Sequence, residues 1–326
     1  MPSLHRRNWL AAAVLALASG LAQAEFPDRP LRLVVGFPPG AGPDVVVRTV
    51  GQRLGEILKQ SVVIDNRAGA GGQIGAQAVA KSAPDGYTLL LGEVGSIAIA
   101  PAAYGRLPYD PARELAGLSE VVRSDFVLVV PAASPAKSVA DFTQAARVQA
   151  AKGEKANFAT FGAGTPGHFD AEMYGEAAGF KVEPVHYRAT GDAVTAIIAG
   201  DVQAAFVSTA FAAAQIKGGK MCALATTAPQ RLPQLPDVPT FTEAGLPKID
   251  VTAWFAVFAP AGTPEPVQDT LARAVAAAVQ APGVKAKLQE AGFNVLGTGR
   301  ADTVRMLREE GPRWVRVVKA SGFKGD

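Results

Sequence analysis

The chain has 326 residues, a formal net charge of +3, one cysteine and three histidines. The length suits two domains or one large one, and the small charge gives no reason to expect a nucleic-acid partner. A single cysteine excludes an internal disulfide, and so few thiols and imidazoles cannot assemble a Cys/His zinc site, so no metal and no cofactor are expected.

The first 24 residues stand apart. Arg6 and Arg7 give a positive start, "LAAAVLALASGLA" is a short apolar core, and "AQA" at Ala22–Ala24 offers a small-x-small cleavage site. This reads as an export signal cleaved near Ala24. A membrane anchor is the alternative, for which the apolar run is short. "HRRNWL" carries one arginine pair of the twin-arginine type. Removing the signal leaves 302 residues and takes away two positive charges, bringing the net charge to about +1. With no disulfide and no lipid-attachment cysteine, a soluble periplasmic protein is expected.

The next elements alternate. "LRLVVGF" (31–37) reads as strand, 44–60 as helix and "SVVIDN" (61–66) as strand. A glycine-rich helix start follows at 68–83, then the turn "PDGY" and a strand at 88–93. The strands are apolar runs rather than alternations, as in a parallel sheet covered on both faces. A strand at 125–135 opens a second series, with helix 138–151, strand 156–162, helix 168–178 and strand 182–187. Helix 192–200, strand 204–208, helix 210–217 and strand 222–227 complete it. Proline-rich "RLPQLPDVPTFTEAGLP" reads as a surface segment, 252–264 as one more strand, and the tail as three helices.

The expected fold is therefore α/β. It has two lobes, each a mostly parallel sheet flanked by helices, joined by two strand crossings: 25–125 with 252–326, and 126–251. Ligands in such sheets sit at the carboxyl ends of strands, and two facing sheets make a cleft.

Four stretches carry donors at those ends. In Phe37–Asp44, Gly40, Ala41, Gly42 and Pro43 expose backbone, and Asp44 stands where a helix N-cap belongs. Helix N-terminal amides favour an anion; a tight capped turn with no ligand is the plain alternative. "GAGTPG" (Gly162–Gly167) matches G-x-G-x-x-G, with Glu183 placed like a ribose-binding acid. Its mid-chain position, the amide lost at Pro166 and the export signal argue against a dinucleotide. A second anion loop built on Gly162 and Gly164, with Thr165 and His168 as side-chain donors, fits better. "HYRATGDA" offers Tyr187, Arg188 and Thr190, with Arg188 suited to clamp a carboxylate or to form a surface ion pair. "GEVGS" offers Gly92 and Ser96. No G-x-S-x-G or H-E-x-x-H motif is present, so no catalytic residue is assigned. An exported enzyme using Thr165, His168 and Arg188 on a small organic acid is the alternative.

These motifs, with "FPDRPLRLVVGFPPGAGPDVVVR", "LPYD", "LPDVPTFTEAGLP" and "WFAVFAPAGTP" in order, resemble the tripartite tricarboxylate transporter substrate-binding family, the Bug receptors. The likeness covers essentially the whole chain after the signal. It implies a hinged, two-lobed periplasmic binding protein of the type II kind that traps a small carboxylate. Such a protein is expected to be a monomer and to serve a membrane permease or a signalling partner. Against the family pattern, Glu93 replaces a small or hydroxyl residue, Val207 (beside Ser208) replaces an aspartate, Pro43 replaces a hydroxyl or amide residue, and Arg188-Ala189 replaces Lys-Gly. A cleft-facing Glu93 must be turned away, paired with a neighbour such as Arg188, or matched by a donor on the ligand. Together with Val207 it favours one carboxylate and an apolar body over citrate.

Overall fold

The structure is a computed structural model that describes residues 26–40, 42–187 and 190–325. The expected export signal lies outside the described residues. Strands β1 (Leu31–Val35), β2 (Val62–Asn66) and β3 (Thr88–Glu93) pair in parallel, β1 in the centre. Helix α1 (Gly42–Leu58) links the first two and buries Val46, Val50 and Leu54, a stripe repeating every four residues. Helix α2 (Gln73–Ala80) links β2 to β3. The two glycine-rich turns ahead of these helices touch backbone to backbone: a Cβ on Gly36 would lie 2.5 Å from Gly72 Cα. Glycine is required there because nothing flexible can yield.

After β3 comes a π-helical turn, Gly95–Ile99, and then the short helices α3 (Ala100–Ala103) and α4 (Pro111–Glu114). Neither helix is long enough to show a period in the sequence. Asp110 caps α4 through the Ala112 and Arg113 amides.

Strand β4 (Leu115–Pro131) is much longer than the expected strand at 125–135. Its first half, "LAGLSEVVRSD", breaks the apolar run with polar side chains that find partners in the fold. Ser119 donates to the Thr298 carbonyl, and Arg123 pairs with Glu120. From Leu115 to Asp125 it pairs antiparallel with β9 (Thr252–Pro260); from Phe126 onward it pairs with β7 (Ala204–Ser208) and β8 (Met221–Thr226).

The second series comprises β5 (Ala156–Thr160) and β6 (Val182–His186), parallel to each other, with β5 also parallel to β7. Its helices are α5 (Val139–Ala151), α6 (Pro166–Ala178), α7 (Thr190–Ala199) and α8 (Thr209–Lys217). The chain returns to the first sheet at β9 and ends with α9 (Glu265–Gln280), α10 (Pro282–Glu290), a two-residue strand β10 (Asn294–Val295) and α11 (Arg300–Ser321). The strand order is β2-β1-β3-β9-β4-β7-β5-β6, with β8 and β10 also on β4. The outer strands of each half are parallel, as expected; β9 and β4 enter antiparallel, so the sheet is mixed.

One apolar core draws on residues 31–122 and 251–318 together with Phe169 of the second half, and two more cover the faces of the second half of the sheet. Helix α11 joins the halves. Trp254 and Trp314 are fully buried, and both indole N–H groups donate to Glu310 Oε2 at 2.9 Å. Phe169 of α6 packs edge-on against Trp314 and against Phe323 beyond α11. The tail is fixed further by the Gly325 N–H donating to the Ala103 carbonyl at 2.8 Å.

Next to Phe169 in the chain, Asp170 is 0% exposed, and neither carboxyl oxygen has a hydrogen-bond partner among the described residues. Burial pushes its pKa well above the usual carboxylate range, against a weaker opposing pull from Arg313. A carboxyl whose pKa rises on folding gives its full stability below the unfolded value and loses it as the pH rises through the folded one. Asp170→Asn should therefore gain thermal stability over the wild type by a margin that widens from about pH 4 to about pH 8. Melting curves across that range check it; a pH-independent offset would contradict a neutral Asp170.

Candidate functional site

A cavity of about 770 Å³ lies between the halves. Four helices begin on its wall: α1 (Gly40, Gly42, Pro43), α2 (Ala70, Gly71, Gln73), α6 (Gly164–Gly167) and α8 (Ser208, Ala210). Two belong to each half. Helix N-termini carry unsatisfied N–H groups and the positive end of the macrodipole. The N-cap residues are Gly72 for α2, Thr165 for α6 and Ser208 for α8, and none makes a side-chain capping bond. The rest of the wall is mainly apolar, with Phe37, Phe126, Phe161, Phe206, Phe211, Phe255 and Phe293. Glu93 is the one ionisable carboxyl among the described lining residues, and no Lys, Arg or His stands there. No group of described residues could hold a metal ion.

The first glycine loop is held from behind. The Asp44 carboxylate accepts from the Gly40 N–H (2.9 Å), Arg48 Nε (2.9 Å) and Asn66 Nδ2 (2.8 Å). Asn66 also donates to the Phe37 carbonyl. Asp44 is thus not the N-cap: α1 begins two residues earlier, and the carboxylate reaches back to the loop instead of forward into the helix. Burial alone would raise its pKa. The bonds from Arg48, Gly40 and Asn66 outweigh that and hold it at about 2.

The second glycine loop is held in the same way. His168 is buried, and its Nδ1 accepts from the Gly164 N–H at 3.1 Å. The proton of the neutral ring therefore sits on Nε2; Nδ1 is spent on the loop, and His168 does not line the cavity. Burial, then the nearby His186, lowers its pKa to about 4. Thr165 donates to the Gly162 carbonyl, so that hydroxyl is also spent within the loop.

Other expected site residues divide. Phe37, Gly40, Gly42, Pro43, Glu93, Gly164, Thr165, Val207 and Ser208 line the cavity. Asp44, Gly92, Ser96, Gly162, His168 and Tyr187 do not. Gly92 packs under the Phe258 ring, Ser96 is buried with its hydroxyl on the Glu93 carbonyl, and Tyr187 packs against the core around Val127 and Val207. Ala41 and Arg188 lie outside the described residues, as does the Thr190 side chain. The phenylalanine walls, with Gln73, Tyr104 and Ser124, have no signature in the sequence, since each reads locally as a strand end or core position. The turn ahead of Gln73 could have been found from its glycines, which resemble those ahead of α1.

Glu93 closes β3 opposite Phe255 of β9 and is 7% exposed. Its Oε1 accepts from the Ser96 N–H at 3.1 Å. Burial raises its pKa to about 7, against the Gly95 and Ser96 amides, which favour the ionised form.

The family described as tripartite tricarboxylate transporter family receptor matches residues 46–323. The chain belongs to this family. It is 34% identical over 323 residues to a UPF0065 protein encoded between tcbD and tcbE in Pseudomonas sp. strain P51, covering 98% of this chain and 95% of that one. Among solved structures, Rpa4515 of R. palustris with adipate superposes with a TM-score of 0.83 at 32% identity, over 92% of this chain and 99% of that one. MatC of Rhodopseudomonas palustris with bound malate gives 0.79 at 31% identity, over 90% and 100%. The family's receptors have the two-domain α/β fold of periplasmic binding proteins, and this chain shares it.

Both loop clamps titrate, in separate windows. His168 has its pKa lowered on folding, so its contribution is full above the unfolded value, about 6.5, and is lost as the pH falls through about 4. Asp44 contributes fully above about 4 and loses that as the pH falls through about 2. Denaturant titrations should show His168→Gln flattening only the upper limb. Asp44→Asn should flatten only the lower limb and cost about 1–2 kcal/mol at neutral pH. Unchanged limbs would contradict these clamps.

Proposed function

We propose that the chain is a receptor without catalytic activity that holds one small carboxylate-bearing solute between its two lobes. The observation that carries this reading is the convergence of four helix N-termini, two from each lobe, on a single cavity with no basic side chain among its described lining residues. Backbone amides and helix dipoles would take the carboxylate, and the apolar walls would take the rest. Adipate in Rpa4515 and malate in MatC support a carboxylate. The enzyme reading loses support, because the Thr165 hydroxyl donates to a carbonyl and His168 Nδ1 accepts from an amide, so the two do not form a nucleophile–base pair.

The lobes are assigned as 25–125 with 252–326, and 126–251. The receptor acts as a monomer in the periplasm after cleavage near Ala24, and delivers its solute to a membrane permease or a signalling partner. No helix among the described residues is long and apolar enough to cross a membrane.

Thermal-shift screening against mono- and dicarboxylates and amino acids tests the reading. A ligand at a hundred times its Kd should stabilise by about 2.7 kcal/mol and be recovered unchanged; turnover would overturn the receptor. Ser208→Asp supplies a cap to α8 and a negative charge at the cavity wall. It should keep or raise the melting temperature while weakening the best acid by about tenfold or more. Undiminished binding would remove α8 from the site. Small-angle scattering should show compaction with that acid, since donors come from both lobes.

A further inference from the structure

Resting on the carboxylate-receptor reading, we propose that Glu93 receives a cationic nitrogen of the solute, so that the cavity selects an apolar amino acid over a dicarboxylate. The carboxylate is built into the wall. A Cβ on Gly95 would lie 2.4 Å from Glu93 Oε1, and the Ser96 N–H donates to the same oxygen, so the π-helical turn after β3 is shaped around it. Single-turn π segments of this kind often mark functional positions.

No basic side chain among the described residues neutralises it. None of the ion pairs among the described residues includes Glu93, and no Lys, Arg or His lines the cavity there. Among the described residues, the titratable groups nearby are tyrosines. Tyr109 gives its hydroxyl proton to the Ser96 carbonyl, and Tyr104 lines the cavity beyond α3. The facing walls from β9, β4, the Phe161–Gly167 loop and the start of α8 carry phenylalanine, serine, threonine and small residues.

Charge then decides the class of solute. A dicarboxylate would bring two negative charges to a wall that already holds one carboxyl and no described cation, and like charges in a low-dielectric site repel. An amino acid brings one carboxylate for the helix N-termini and one ammonium for Glu93. Phe37, Phe161, Phe211, Phe255 and Phe293 offer ring surface for an aromatic or branched body, and ring faces also attract an ammonium. Val207, buried on the opposite wall, adds no second acid to compete. Burial raises the Glu93 pKa to about 7; a bound ammonium draws it to the ionised form.

Calorimetry on the wild type and Glu93→Gln, with L-phenylalanine, L-leucine, 3-phenylpropionate, phenethylamine and adipate, tests this. In the wild type, phenylalanine or leucine should bind at least about tenfold tighter than 3-phenylpropionate and adipate, and tighten from about pH 6 to about pH 8. Glu93→Gln, with a melting temperature that shows it folded, should lose both the preference and the pH dependence. Adipate or 3-phenylpropionate binding the wild type more tightly than either amino acid, and weakening as the pH rises, would overturn the proposal while leaving the receptor reading intact. It would show Glu93 acting as a protonated donor to a carboxylate. Phenethylamine binding as tightly as phenylalanine would keep Glu93's role and overturn the carboxylate reading. Failure of both amino acids and phenethylamine to bind would overturn the proposal, whatever the acids do.

Discussion

A single hydrogen-bond ladder along β4 is the constraint on which the rest of the molecule depends. The strand pairs with β9 up to Asp125 and with β7 and β8 from Phe126, so one backbone serves both halves of the sheet. Parallel βα units send each helix back from the carboxyl end of a strand. Because β4 sets the two halves end to end, the helix starts of both series meet across one gap. The cavity is thus a product of topology before it is a product of side chains. A strand that handed over elsewhere would aim α1 and α2 away from α6 and α8.

Within that frame, the amides at the cavity mouth have two fates. Some are spent on shape. The Gly40 N–H goes to Asp44 and the Gly164 N–H to His168, and each acceptor is itself buried behind its loop. Others begin helices whose N-cap side chains leave them uncapped. Fixing a glycine loop by a buried acceptor costs no charge at the wall, because Asp44 is matched by Arg48 and His168 is neutral. The loops are held in place before any solute arrives, which is how preorganised donors save ordering entropy on binding.

Much of this was legible in the sequence. Strands 88–93 and 204–208 were read with the limits they have in the structure, and the helix at 138–151 begins one residue later, capped by Ser138. Apolar runs, caps and glycine turns are local, so local reading finds them. The first half of β4 was hidden because Ser119, Glu120 and Arg123 break the apolar pattern, and their partners lie far along the chain or on the strand itself. Site residues failed for a related reason. Sequence shows that His168 and Asp44 sit beside glycine loops, but not which side of the loop they occupy, and here both stand behind it. The seven phenylalanines of the wall come from seven places, three strands, three loops and helix α8, and only the assembled sheet brings them together.

The seat of Phe323 bears on how this protein can be handled as a reagent. That ring lies against His168 and Phe169, close to Gly164 of the second loop, and the Gly325 N–H is tied to the Ala103 carbonyl. A fluorophore or fusion partner joined just after Gly325 would strain the same residues that shape the loop, and would report on its own attachment as much as on the solute. The other end of the described chain behaves differently. Phe26 packs on Tyr87 at the amino-terminal edge of the sheet, the far end of β1 and β3 from the cavity. Immobilisation on a surface, or a reporter for a sensor, belongs there.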